Sequence, residues 1–166
     1  SRKLGISFSS SFKSTLPPSL QPRCCQASSA TFLHLSASSP SIVTYFTKEH
    51  GKFSAIIKGA RSSKNMYGRA LEPMSYVALV VYEKKGREIQ IVTQCEVIQS
   101  YRHLYEDLDK IAIGMAIIEL VRNIAHEQEK NPPLFQLLVN TLTELNRATK
   151  NPENLFYAFE IHLSSI

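Results

Sequence analysis

The 166-residue chain has no tryptophan and only three cysteines. Without Trp, any stacking on a nucleic-acid base falls to Tyr, Phe, His or Arg. Cys24, Cys25 and Cys95 form an odd set with no C-x-x-C spacing. That argues against a disulfide framework or a zinc knuckle. Cys95 sits in a strand-like run and reads as a small buried hydrophobe. Such cysteine use fits a reducing cytosol. No apolar run approaches the roughly 18 residues that a membrane-spanning helix needs. Nucleophile-elbow, zincin and Walker A patterns are absent, and the five histidines (His34, His50, His103, His126, His162) lack metal-ligand spacing. The chain is therefore expected to be no enzyme and to need no metal or cofactor.

Acid is missing from the first 40 residues, which hold four Lys/Arg, twelve Ser and the prolines Pro17, Pro18, Pro22 and Pro40. This stretch shows no sustained periodicity and too little clustered apolar surface to offset the entropy of ordering. Residues 1–30 are expected to be a disordered or non-native tail. An organellar transit peptide has the same composition and stands as the alternative. The first residue is not Met, which fits a fragment or a processed form.

What is present is polarised. Residues 41–100 carry nine Lys/Arg against five Asp/Glu, and residues 101–166 carry six against nine. A basic front and a mildly acidic back imply two surfaces with different partners, or simply an uneven spread of solvated charge. β-Branched and aromatic residues mark strands at 41–47, 52–58, 75–83 and 88–100. A Lys-Glu-His-Gly turn joins the first two, and Lys84-Lys85-Gly86-Arg87 forms a hairpin turn between the last two. Near Tyr101 the period changes from strand to helix. Leu108, Ile111, Ala112, Met115, Ile118 and Val121 fall at helical spacing over 107–127. Asn131-Pro132-Pro133 breaks that helix and opens the next, whose stripe is Leu134, Leu137, Leu138, Leu142 and Leu145. A third helix over 153–166 carries Leu155, Phe156, Phe159 and Leu163. The fold class is α+β: a small OB-fold-like β-barrel over 31–100, then a three-helix domain over 101–166.

The candidate site is the loop after the second strand, Lys58-Gly-Ala-Arg61-Ser-Ser-Lys64-Asn-Met-Tyr67-Gly-Arg69. It has four cations, no acid and two glycines that free its backbone. Lys52, Lys58, Arg61, Lys64 and Arg69 on one barrel face would track a phosphate backbone and release its counterions, with Tyr67 as a stacking platform. Lys84, Lys85 and Arg87 add a second cationic point. The alternative for both groups is a solubilising surface.

The same residues carry a resemblance. Ile42-Val43-Thr44-Tyr45-Phe46-Thr47, Gly51-Lys52 and Lys58-Gly59-Ala60-Arg61 resemble strand phrases of the RecO family of bacterial recombination mediators. Leu71-Glu72-Pro73-Met74-Ser75, Thr93-Gln94-Cys95-Glu96-Val97, Asn131-Pro132-Pro133-Leu134-Phe135 and Phe159-Glu160-Ile161-His162-Leu163 match later family phrases in the same order. Departures exist. Phe32-Leu33-His34-Leu35 imitates the family's first strand, but the Gly-Glu turn that should follow is absent. The barrel is thus expected to be incomplete, with an open edge. Many members carry a four-Cys zinc site after the third helix, and this chain ends before it. The resemblance implies a mediator of DNA repair and recombination, cytoplasmic and nucleoid-associated. It would bind single- and double-stranded DNA, anneal strands, and load the RecA recombinase together with RecR. It also implies contact with the acidic C-terminal tail of single-strand binding protein. Such a peptide needs an apolar slot with a cation at its rim, for which Arg102 and Arg122 are the candidates; pairing with Glu106 or Glu119 is their alternative role. Two other functions stay open: an OB-like RNA-binding module, and a structural adaptor without nucleic-acid binding.

Overall fold

A computed structural model describes residues 25–33, 42–57, 72–82 and 89–166. Residues 1–24 of the expected 1–30 tail, the basic loop at 58–71 and the basic turn at 83–88 lie outside the described residues, while residues 25–30 of that tail are strand. Five strands come first: β1 (Cys25–Leu33), β2 (Ile42–Thr47), β3 (Gly51–Ile57), β4 (Tyr76–Tyr82) and β5 (Ile89–Gln99). A single 3-10 turn, Arg102–Leu104, leads to α1 (Leu108–Ile124), α2 (Pro132–Arg147) and α3 (Glu153–Leu163).

The strands close in the order β1-β2-β3-β5-β4, with β1 antiparallel to both β2 and β4. This corrects two expectations. The barrel has no open edge on the β1 side, and it begins at Cys25 rather than at residue 31. β1 reads CQASSATFL, a polar and small-residue run without the β-branched alternation that marks a strand. Its place comes from backbone hydrogen bonding to two neighbours, which no side-chain pattern announces. The other joint is parallel: β3 pairs β5 with Ile57 opposite Val92. Register shifts at Tyr76/Val77 and Val80/Val81 let the long β5 bend round the barrel.

Inside the barrel, Val43 and Tyr45 of β2, Ala55 and Ile57 of β3, Val77 and Leu79 of β4, and Val92 of β5 form one core. Their period of two places alternate residues on one face. Phe46 breaks the rule that the other face is wet, because the helices cover it. It joins Met74, Tyr101, Leu104 and the buried faces of all three helices in a second core. Phe135 of α2 is the hinge of this core, with ring centroids 6.0 Å from Phe46 and 6.0 Å from Tyr76.

Local chemistry sets the helix ends. The Asp107 carboxylate caps α1 by accepting from the backbone N–H groups of Asp109 and Lys110. Asn131 caps α2, its Oδ1 accepting from Leu134 N at 3.0 Å, ahead of Pro132 and Pro133 at the first turn. Of the expected stripe of α2, Leu134, Leu138, Leu142 and Leu145 are buried and Leu137 is half-buried, with Phe135 and Thr141 added. The buried face of α1 is the expected one only in part. Ile118 and Val121 are buried, together with Gly114 and Ile117, whereas Leu108 is 83% exposed and Ala112 is exposed. Met74 is the neighbour that meets this face: a Cβ on Gly114 would press on Met74 Sδ, so a larger residue there would have to displace that side chain.

Replacing Phe135 by Ala is expected to cost about 3–5 kcal/mol of unfolding free energy, through cavity formation between barrel and helices. Ile161→Ala, at a position 67% exposed, should change stability by less than about 0.5 kcal/mol. Urea titration of both variants checks the contrast. Similar losses in the two would contradict the core assignment.

Candidate nucleic-acid interface

The parts of the barrel differ in their surroundings. The β2–β3 turn, Met74, Tyr76 and Tyr101 lie against the helices or their linker. β3 finishes at Ile57, opposite Val92 of β5, and β4 finishes at Tyr82, opposite Ile91 of β5. The Lys58–Arg69 loop leaves the barrel immediately after Ile57, and Lys84, Lys85 and Arg87 lie between Tyr82 and Ile89. The two basic segments thus follow strands whose last described residues flank neighbouring positions of β5. Lys58, Arg61, Lys64, Tyr67, Arg69, Lys84, Lys85 and Arg87 themselves lie outside the described residues.

Lys52 has a different setting. It is the second residue of β3, and its ammonium donates to the backbone carbonyl of Arg122 at 2.9 Å. Arg122 belongs to the last turn of α1, and its guanidinium donates to the Glu119 carboxylate at 2.9 Å. That half-exposed pair, one turn apart, contributes a few tenths of a kcal/mol. Arg102 is exposed in the 3-10 turn ahead of α1. The two arginines therefore stand towards opposite ends of α1. The nearby Glu106 is held by His103 at 2.9 Å. That imidazole, aided by Arg102 and Lys110, keeps the exposed Glu106 carboxyl below its usual range.

Sequence reasoning missed the residues that join the two halves: Thr47, Met74, Gly114 and Phe135. Met74 carries a positive φ of 64°, and Tyr105 donates its hydroxyl to the Pro73 carbonyl beside it. The only early signal was the phrase Leu71-Glu72-Pro73-Met74-Ser75, which marks a strand entry and says nothing of a helix contact. Among the described residues no group of three or more His, Cys, Asp or Glu is placed to hold a metal ion. None of the described helices is long and apolar enough to cross a membrane.

Residues 38–101 match the family described as Recombination protein O N terminal, and residues 105–166 match Recombination protein O C terminal. The chain belongs to the RecO family. It is 38% identical over 125 residues to the DNA repair protein RecO of Salinibacter ruber, covering 75% of this chain and 48% of that protein. The RecO of Pelodictyon phaeoclathratiforme is likewise 38% identical over 125 residues, with 75% and 48% covered. That of Acetivibrio thermocellus is 31% identical over 124 residues, with 75% and 49% covered. The chain spans about half the length of the curated relatives it matches. Its OB-fold-like barrel corresponds to the N-terminal match and its helices to the C-terminal one.

Burial pushes the Cys95 thiol up to about 12, against an ordinary value of 9.0. At neutral pH its thiolate is correspondingly scarce. A raised folded-state value means that the neutral thiol favours the fold below pH about 9 and that this contribution is lost as pH rises towards 12. Alkylation of Cys95 at pH 8, followed by peptide mapping, should be at least about tenfold slower in the folded chain than in urea. Equal rates would mean that the thiol is not shielded.

Proposed function

We propose that this chain is the DNA-engaging part of a non-enzymatic recombination mediator in DNA repair. It binds single- and double-stranded DNA and promotes annealing of complementary strands. With RecR it supports loading of RecA. Family membership supports this reading, and so do the names of the relatives as DNA repair proteins. The observation that carries it is that both basic segments follow strands whose last residues, Ile57 and Tyr82, flank neighbouring residues of β5. Cations brought together in this way would follow a polyphosphate backbone and draw affinity from counterion release, so binding is steeply salt-dependent. Tyr67 supplies a π-face in the same segment.

Gel-shift titration with single-stranded DNA at several salt concentrations tests it. The Lys58→Glu, Arg61→Glu, Lys64→Glu, Arg69→Glu variant should lose most affinity. Its slope of log affinity against log salt should fall by about two, since each lost phosphate contact removes roughly 0.7–0.9. An unchanged quadruple variant would place DNA elsewhere. Tighter binding to RNA of matched length would turn the assignment to an RNA-binding module, and no salt-sensitive binding at all would leave a structural adaptor.

The helical half is the proposed seat of the acidic tail of single-strand binding protein. Arg122 is its candidate cation, in competition with Glu119. Arg122→Ala should weaken an acidic, apolar-ended peptide about tenfold or more, the scale of a hydrogen bond to a charged group. DNA binding should stay unchanged. Wild-type peptide affinity in this variant would exclude Arg122.

A further inference from the structure

We propose that Gly51 and Lys52 form the joint that makes barrel and helices one cooperative unit, with Lys52 serving as the cation at the C-terminal end of α1. The last intrahelical hydrogen bond of α1 runs from Ala125 N to the Val121 carbonyl at 2.8 Å. The next carbonyl along, that of Arg122, is left without an amide from its own helix. Lys52 Nζ supplies the missing donor at 2.9 Å. A cation here also faces the negative end of the helix dipole.

The backbone completes the joint. Gln128 N donates to the Lys52 carbonyl at 2.9 Å, and Lys52 pairs with Glu127 as an isolated parallel bridge. β3 thereby extends its ladder onto the chain that links α1 to α2. Gly51 lies under the same segment: a Cβ there would be 2.0 Å from the Glu129 carbonyl oxygen, and its φ is +66°. Both facts demand glycine. The turn that presents Gly51 and Lys52 is itself held by the fully buried Thr47. The Thr47 hydroxyl accepts from His50 N at 3.0 Å and donates to the Gly51 carbonyl at 3.1 Å. Every polar group of this small assembly faces a partner on the other half or fixes the turn that reaches it.

The consequence for β3 is that Lys52 is committed to the C-terminal end of α1, whose dipole offsets its charge.

Hydrogen exchange read by mass spectrometry on the whole chain tests the joint. Peptides from 42–57 and 108–124 should exchange with the same protection in the wild type. Lys52→Met keeps the stem and removes the charge, and it should lower protection in both peptides together by about tenfold. Gly51→Ala should lower it further. If that variant does not fold, Lys52→Met decides alone. Unchanged protection in Lys52→Met, or a loss confined to the helices, would overturn the proposal. A second readout rests on the DNA binding proposed above: the salt slope of Lys52→Met should equal that of wild type. A slope lower by roughly 0.7–0.9 would make Lys52 a phosphate contact and overturn its assignment. Should the wild type bind no DNA, the DNA reading fails while hydrogen exchange still judges the joint.

Discussion

The burial of Phe135 against Phe46 and Tyr76 is the interaction on which the rest of the structure depends. A five-stranded barrel has one inside, and its strands leave every second residue on the outer wall. Phe46 lies on that outer wall and is nonetheless fully buried. An exposed aromatic there would cost the barrel about 1.5–3 kcal/mol of unrealised burial. α2 removes that cost by laying Phe135 across the gap, with Leu134, Leu138, Leu142 and Leu145 continuing the contact into the bundle. Barrel and helices are therefore two secondary-structure regimes around a shared core.

That shared core gives one part of the barrel to packing: Thr47, Gly51, Met74 and Tyr101 are all buried against helices, their linker or the turn that reaches them. Charge divides between the two halves of the chain, with the acidic surplus in the helical residues 101–166 and the basic surplus in 41–100.

Much of this was legible beforehand. The change of period near Tyr101, the Asn131-Pro132-Pro133 break and the strand runs of β2 to β5 all correspond to observed elements. They were legible because each is a local signal, carried by side chains within a few residues of one another. β1 was not, since CQASSATFL has neither alternation nor β-branched density and owes its place to neighbours on both sides. The buried face of α1 was legible only in part, because apolar residues such as Leu108, Ile111 and Met115 flank the truly buried line and blur its position. The basic loop was evident as a cluster of charges. That both basic segments follow strands flanking neighbouring residues of β5 required the pairings of Ile57 with Val92 and Tyr82 with Ile91.

By itself the sequence determined the order of β2 to β5 and the three helices, the break between α1 and α2, the positions of charge and the family phrases. Periodicity, breaks and turn residues act over a few positions, so they survive without a fold. The tertiary structure alone decided barrel closure, which apolar residues of α1 are buried and the role of Lys52. A lysine beside a glycine turn reads as a surface cation in any linear scan. It becomes the terminal donor of a helix 70 positions away only when the chain brings β3 beneath the end of α1. Long-range hydrogen bonds depend on distance in space, and a sequence records only distance along the chain.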